Sequence, residues 1–222
     1  MLPPEKPSAR LPLSKERILS AAVDLVDRQG LSALTMRGLG AELGVEAMSL
    51  YKHVANKDEI LDGIVEHILG EIEIPVPNSD WRDAMRRRAT SAREVLLRHS
   101  WAIGLLESRG MNGPAVMRYT NAVLGTLRAA GFPLDAAAHA YWLLDGFVYG
   151  QVIQETNVTA PASSTSPNST TAEPDEPAMD DYPHLMEMVA HAANATFSFD
   201  QEFEYGLNLI LDALQVNVTA KD

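Results

Sequence analysis

Apolar residues recur every three to four positions along most of this 222-residue chain, and that spacing is the period of amphipathic α-helices. The pattern therefore predicts an all-α protein. The predicted helices cover residues 14–30, 58–71, 81–99, 100–108, 114–130, 134–154 and 201–216, with a pair of short helices inside residues 35–57.

Prolines mark a boundary between two parts of the chain. Residues 74–80 read I-P-V-P-N-S-D, and two prolines this close together stop a helix. We therefore predict a three-helix helix-turn-helix domain over residues 14–73 and a larger helical domain over residues 80–218. The proline-rich residues 1–13 are expected to form a flexible arm. Residues 157–181, which lack Lys and Arg and are rich in Ser, Thr, Pro and acidic residues, are expected to form a flexible loop.

The two short helices have the features of a helix-turn-helix. Thr35 suits the N-cap of the first helix, because its hydroxyl can accept a hydrogen bond from a free backbone amide. Gly44 falls at the turn, where glycine adopts a positive φ at low cost. Val45 and Leu50 can then pack back on the first helix, while the other positions of a second helix of about two turns face outward, as in a recognition helix. An ordinary α-hairpin is the alternative interpretation.

The outward positions of this pair suit contact with double-stranded DNA. Arg37 and Tyr51 are the candidates for base contacts, since arginine can bind guanine bidentately. Ala47 and Met48 suit the methyl groups of thymine. Four side chains suit phosphate contacts, namely Thr35, Lys52, His53 and Lys57, and Glu46 and Ser49 complete the candidate surface. Asn56 can also cap a helix that opens at Lys57, and an open helix N-terminus beside a lysine is a natural phosphate site.

Residues 43–57 read L-G-V-E-A-M-S-L-Y-K-H-V-A-N-K and resemble the signature of TetR-type transcriptional regulators. The L-G-V, L-Y-x-H and N-K elements fall at that family's positions, and so does the preceding helix that ends at Gly30. The later helices are similar to the tetracycline-repressor branch in order and length. The resemblance implies a homodimer that binds a palindromic operator and responds to a small-molecule effector.

The charge distribution shows no globally basic head. The chain carries a net charge of −12, and residues 1–70 hold 8 Lys and Arg against 10 Asp and Glu. DNA binding must therefore depend on the local placement of a few cations, and the acidic remainder should disfavour non-specific DNA contact. The R-R-R run at residues 86–88 is expected to be a solvated helix face.

Two apolar helices are candidates for a subunit interface. Residues 134–154 include four aromatic side chains, and a helix that is apolar nearly all round must be buried on several sides. Residues 201–216 form the matching apolar helix. The resemblance implies that these helices join those of a second copy in a four-helix interface. Packing within one chain is the alternative.

The resemblance also implies a ligand pocket in the larger domain. Tetracycline repressors bind a magnesium-chelated drug through a His and a Glu, but this chain has Gln154 and the His-free residues 102–105 at the corresponding positions. We therefore predict a small apolar or aromatic effector rather than a magnesium–tetracycline chelate. The candidate pocket residues are Trp101, Met117, Asn121, Trp142, Phe147 and Gln151, with core packing as the alternative for each.

Other chemistry is weakly indicated. His184, Glu187 and His191 could share one helix face and bind a metal, but such residues are more often ordinary polar surface. The absence of cysteine excludes disulfides and thiolate sites. We find no catalytic motif, and we predict neither an enzyme nor a cofactor. The alternatives are a DNA-binding regulator without an effector and a helical small-molecule-binding enzyme.

The sequence lacks the pattern of a signal peptide and of a membrane-spanning helix, and this predicts where in the cell the protein is found. The N-terminus has prolines and charges where a signal peptide would have an apolar run, and no stretch approaches 18 apolar residues. A cytoplasmic protein without a membrane partner is expected.

Overall fold

A computed structural model describes residues 12–76, 79–109, 113–159, 181–194 and 198–219. These residues form ten α-helices and no strand, which confirms the all-α prediction. The helices are α1 (Lys15–Gln29), α2 (Met36–Leu43), α3 (Ala47–Leu50), α4 (Lys57–Glu71), α5 (Trp81–Arg98), α6 (Ala102–Arg109), α7 (Pro114–Ala129), α8 (Leu134–Thr159), α9 (Pro183–Asn194) and α10 (Phe199–Thr219).

Polar caps begin four of these helices, including the two predicted at Thr35 and Asn56. Ser14, Thr35, Asn56 and Asp80 each accept a hydrogen bond from the backbone amide three residues further on, at 2.9 to 3.3 Å. Each cap satisfies an amide that has no partner within its own helix, and such a cap is worth about 1 kcal/mol. These side chains therefore help to fix where α1, α2, α4 and α5 start.

The first four helices pack into a small head. The inner faces of α1 and α4 meet through Ile18, Ala22, Ile60 and Ile64, all at most 1% exposed. Helix α4 continues out of the head and contacts α6 and α7, so it connects the head to the rest of the chain. Helices α5, α7, α8 and α10 form the body, with α5 lying along α8.

Helix α3 is shorter than predicted, and helix α8 is longer. Helix α3 has a single helical turn and continues as a turn through residues 51–53, whereas about two helical turns were expected. Helix α8 continues to Thr159, so residues 157–159 belong to this helix rather than to the predicted loop. Residues 160–180 of that loop, and residues 1–11 of the predicted arm, lie outside the described residues.

Candidate nucleic-acid interface and body cavity

A tight turn sets the angle between α2 and α3. Gly44 has φ 66° and ψ 35°, the left-handed conformation that glycine adopts without a steric penalty. The amide of Val45 then donates a 2.9 Å hydrogen bond to the carbonyl oxygen of Gly40. A β-carbon on Gly40 would lie 2.9 Å from the carbonyl oxygen of Val45, so a residue without a side chain is needed where the two helices meet.

Buried aliphatic residues fix α3 against the head. Leu50 is fully buried and Val54 is 2% exposed, so both anchor the segment in the head core. Met48 lies on the opposite side of α3 and is 74% exposed, and Tyr51 is 46% exposed. A large apolar side chain held in solvent by a short, anchored helix is available for contact with a partner.

The predicted DNA-contacting residues all lie on the surface of the head. Eight of the ten are exposed, and the other two are half-buried. The exposed ones are Thr35, Arg37, Glu46, Met48, Tyr51, Lys52, His53 and Lys57, and the half-buried ones are Ala47 and Ser49.

Some cations of the head pair with carboxylates, and others do not. Lys15 pairs with Glu59 and Arg28 pairs with Glu42, at 2.5 and 2.7 Å. Arg37, Lys52 and Lys57 form no ion pair with any described residue. The positive charges of the helix-turn-helix therefore stay uncompensated at close range, although the chain as a whole is acidic.

The N-terminus of α4 is less open than the sequence suggests. The side chain of Asn56 accepts a hydrogen bond from the amide of Glu59, and the Glu59 carboxylate accepts one from the amide of Ala55 at 2.6 Å. This backbone hydrogen bond and the one from Lys15 lower the pKa of Glu59, which therefore stays ionised beside the helix end. A phosphate at this end would meet the Lys57 side chain but also the negative charge of Glu59.

Polar contacts join the head to the body. Asp27 on α1 accepts the indole N–H of Trp101 at 2.7 Å and lies 2.8 Å from Nδ1 of His99. Arg109 at the end of α6 binds the carboxylates of Asp58 and Asp62 on α4. Both contacts connect a head helix to residues of α6 or of the segment before it, so the head has a defined orientation on the body.

The helical body contains a small cavity of about 100 Å³. It lies between α4, α6, α7 and α8. Its walls are mostly aromatic and aliphatic, with two carboxylates. The lining residues are Leu69, Leu106, Glu107, Val116, Tyr119, Tyr141, Trp142, Asp145 and Tyr149.

A buried ion pair lies beside this cavity. Arg88 on α5 is 1% exposed and binds the carboxylate of Asp145, while its Nε donates a 2.6 Å hydrogen bond to the hydroxyl of Tyr119. The guanidinium carbon lies 4.9 Å from the ring centre of Tyr119 and 5.8 Å from that of Tyr141. Its remaining nitrogen, Nη1, has no hydrogen-bond partner among the described residues.

The prediction that residues 86–88 form a solvated face is therefore wrong for Arg88. Arg88 lies three residues after the buried Met85 and four before the buried Ala92, so it projects into the body. Its burial is tolerated because Asp145, 57 residues away, neutralises its charge. The spacing from Met85 was a usable signal, and so was an Asp in the middle of the apolar α8 sequence.

Burial controls the ionisation of the cavity tyrosines. Desolvation raises the pKa of Tyr119, and the nearby charge of Arg88 offsets only part of that effect. Desolvation also raises the pKa of Tyr149 far above its usual value, with smaller contributions from Tyr119 and Tyr141. Both hydroxyls therefore stay protonated at neutral pH and can donate hydrogen bonds.

The predicted pocket residues do not gather at one site. Trp142 lines the cavity, whereas Trp101 lies at the contact between head and body. Phe147 stacks on Phe203 of α10, with ring centres 5.4 Å apart. Met117 and Asn121 are exposed on α7, and Gln151 is half-buried on α8. The sequence did not single out Asp145 or Glu107 as cavity residues.

Metal-binding groups are not clustered in the part of the chain that the structure describes, where no three His, Asp or Glu side chains have suitable positions. His184 and Glu187 lie 3.9 Å apart on α9, and their side chains are 97% and 83% exposed. Among the described helices, none is both long enough and apolar enough to cross a membrane.

Both the N-terminal and the C-terminal part of the chain match known protein families. Residues 18–64 match the family described as "Bacterial regulatory proteins, tetR family", and residues 74–218 match "Tetracyclin repressor-like, C-terminal domain". The chain belongs to the TetR family of bacterial regulatory proteins. The resemblance based on residues 43–57 is thereby confirmed.

Individual relatives are similar over different lengths. An HTH-type transcriptional regulator of Saccharopolyspora erythraea is 38% identical over 154 residues, which are 68% of this chain but only 65% of that relative. Tetracycline repressor protein class D of Escherichia coli is 29% identical over 94% of this chain and 92% of its own length. The crystal structure of ActR from Streptomyces coelicolor in complex with actinorhodin is 28% identical, with a TM-score of 0.71 over 94% of this chain and all of ActR.

Proposed function

We propose that this chain is a homodimeric transcriptional repressor that binds a palindromic DNA operator and is released by a small aromatic effector. The observation that carries the proposal is the set of unpaired cations, Arg37, Lys52 and Lys57, on an exposed helix-turn-helix of an otherwise acidic chain. Phosphates supply the negative charge that such cations lack within the chain. A repressor of this kind acts in the cytoplasm.

On this proposal, the residues in and around α3 divide into those that contact bases and those that contact phosphates. Arg37 and Tyr51 bind base edges, and the exposed Met48 and the adjacent Ala47 meet thymine methyls. Lys52, His53 and Lys57 bind phosphates, as does the hydroxyl proton of Thr35, whose oxygen already caps α2. Glu46 and Ser49 complete the surface, and Glu46 can accept a hydrogen bond from cytosine.

The second copy binds through α8 and α10 in the proposed dimer. Both helices carry large apolar side chains in solvent, including Leu143, which is 50% exposed, and Leu209, which is 53% exposed. Leu134, Ile153 and Tyr205 extend this surface, which we name the α8–α10 surface. Several exposed apolar side chains on two packed helices are typical of subunit interfaces, and two heads are needed to read two half-sites about one helical turn apart.

The body cavity is the proposed effector site. Its aromatic walls suit an aromatic ligand, and ActR, which shares the fold, is described in complex with actinorhodin. Release from DNA requires an effector that binds more tightly to the form whose head spacing no longer fits the operator. The relatives described as regulators favour this function over that of a helical enzyme.

Substitution of DNA-contacting residues tests the proposal. A duplex is first selected from random DNA with the wild-type protein. We expect Tyr51→Ala to weaken binding to it by roughly 10- to 100-fold, because a base contact is lost. Lys57→Ala should lower the slope of log affinity against log salt by about one, because one phosphate contact is lost. Gel-shift titrations measure both effects.

The control for this experiment is Arg128→Ala, which removes an exposed cation from α7 whose guanidinium binds the carbonyl oxygen of Phe132 within the body. It should leave affinity and salt slope unchanged. Retained affinity in Tyr51→Ala, or selection of no inverted repeat by the wild-type protein, would contradict the proposal.

Sedimentation tests the dimer. The wild-type protein should sediment as a dimer, and Leu209→Asp should yield monomers because it introduces a charge into the α8–α10 surface. Met117→Asp, which changes an equally exposed apolar residue on α7, is the matched control and should stay dimeric. A monomeric wild-type protein at micromolar concentration would rule out the paired-head geometry.

A further inference from the structure

The body cavity combines aromatic rings with carboxylates. Four aromatic residues line it, Tyr119, Tyr141, Trp142 and Tyr149, and its two ionisable acids are Glu107 and Asp145. No Lys, Arg or His is among the described residues that form the lining. Aromatic faces and carboxylates both attract cations, through the ring quadrupole and through charge.

The positive charge of Arg88 does not reverse this preference. Arg88 lies behind the lining, against the rings of Tyr119 and Tyr141, and Asp145 pairs with it directly. The ion pair has no net charge, so its field in the cavity is that of a dipole. The lining carboxylate that remains uncompensated is Glu107.

Glu107 is placed to act on a bound ligand. It lies on α6, is exposed to solvent and forms no ion pair with any described residue. Burial is the main cause of the raised pKa of Tyr149, but the negative charge of Glu107 also contributes to it. The carboxylate therefore acts electrostatically across the cavity on the α8 wall.

We propose that the effector of this chain is an organic cation with an aromatic ring, held between the cavity rings and Glu107. This inference rests on the proposed function, since it names the chemical class of the effector. The cavity of about 100 Å³ is smaller than the cavity of about 150 Å³ that holds benzene in another protein, so it takes no more than part of a single ring. The aminoalkyl group of such a ligand would extend to the solvent-exposed Glu107.

Three matched probes test the charge preference. They are 2-phenylethylammonium, the neutral 2-phenylethanol and the anionic phenylacetate, which share a ring and a two-carbon chain. Isothermal titration calorimetry of the full-length protein, without DNA, should show the ammonium binding roughly tenfold more tightly than the alcohol. Phenylacetate should bind most weakly.

Two sets of variants separate the contributions of charge and ring. Glu107→Gln should weaken ammonium binding about threefold and leave the alcohol unaffected, because the contact is partly exposed. Glu94→Gln, which changes an exposed carboxylate on α5 outside the cavity, is the control.

Tyr149→Leu should lose affinity for the ammonium while Tyr149→Phe keeps it, since the ring face makes the contact. Thermal denaturation checks that each variant folds.

Equal binding of the three probes, or binding by none at millimolar concentration, would overturn the inference. Tighter binding of phenylacetate would also overturn it and would indicate that the free Nη1 of Arg88 binds an anion instead. None of these results changes the outcome expected for the DNA-binding measurements. Failure of the ligand class is therefore distinguishable from failure of the proposed regulator.

Discussion

Burial of Arg88 in the body carries a cost in hydration free energy. Burial of a guanidinium and a carboxylate removes several kcal/mol of hydration from each, and their attraction repays this only with good hydrogen bonding. Arg88 donates to Asp145 and to Tyr119, but its Nη1 lacks a partner among the described residues. An apolar pair of similar volume would fill the same space without this cost. Stability alone therefore does not account for the pair beside the cavity.

A single and a double variant measure this cost. Arg88→Met should lower the free energy of unfolding by about 3–5 kcal/mol, because it leaves the Asp145 carboxylate buried without a partner. Arg88→Met combined with Asp145→Leu should recover most of that loss, within about 1 kcal/mol of wild type. Urea denaturation of each protein gives the values. A double variant no more stable than Arg88→Met alone would show that the pair itself stabilises the body.

At the scale of elements, the close contact between α2 and α3 depends on one glycine. Gly40→Ala places a β-carbon 2.9 Å from the carbonyl oxygen of Val45 and 3.2 Å from the amide nitrogen of Ala47. Both neighbours are backbone atoms, so α3 must shift. We expect the head to lose about 1–3 kcal/mol of stability, and DNA affinity to fall with it. Hydrogen exchange of the head amides and gel-shift titration measure the two effects.

Gly125→Ala is the matched control for Gly40→Ala. Gly125 is also helical, but an added β-carbon there meets nothing within 4 Å. Alanine is favoured over glycine within a helix by about 1 kcal/mol, so this variant should be slightly stabilised. If both variants behave alike, the close approach at Gly40 is unimportant.

Local signals explain why the head was predictable in more detail than the body. Caps at Thr35 and Asn56 and a positive φ at Gly44 depend on neighbours within a few residues, so the sequence alone indicates the start of α2, the turn and the start of α4. The burial of Arg88 depends on Asp145, which is distant in sequence and close only in the folded body. The cavity likewise combines α4, α6, α7 and α8, and sequence periodicity shows which faces are apolar but not which of them meet.

Helix ends in the body were also less predictable than those in the head. The prediction ended α8 at Gln154, because the following sequence becomes polar, but the helix continues to Thr159. Glu155 lies in that extra turn and accepts a hydrogen bond from the buried Arg93 at 2.7 Å. Arg93 also pairs with Asp200 at the start of α10. Tertiary ion pairs thus accompany helical structure where the local sequence gives no indication of it.

At the scale of the whole molecule, the junction of head and body sets where each head lies. Asp27 accepts a hydrogen bond from Trp101 and contacts His99, so one carboxylate on α1 connects the head to the segment between α5 and α6. A dimer reads two half-sites only when its two heads have a fixed separation. Contacts far from the DNA surface should therefore influence DNA affinity.

Removal of the Asp27 carboxylate tests this dependence. Asp27→Ala breaks both contacts but leaves every proposed DNA-contacting residue in place, so each head should still fold and bind a single half-site as wild type does. Affinity for the full inverted repeat should fall about tenfold, because part of the binding energy is spent on orienting mobile heads. Asp24→Ala removes the same charge from the same helix at an exposed position among head residues, and its affinity should match wild type. Gel-shift titrations with one and two half-sites provide the comparison. An equal loss on both duplexes would mean that Asp27 acts on the fold of the head rather than on the spacing of the pair.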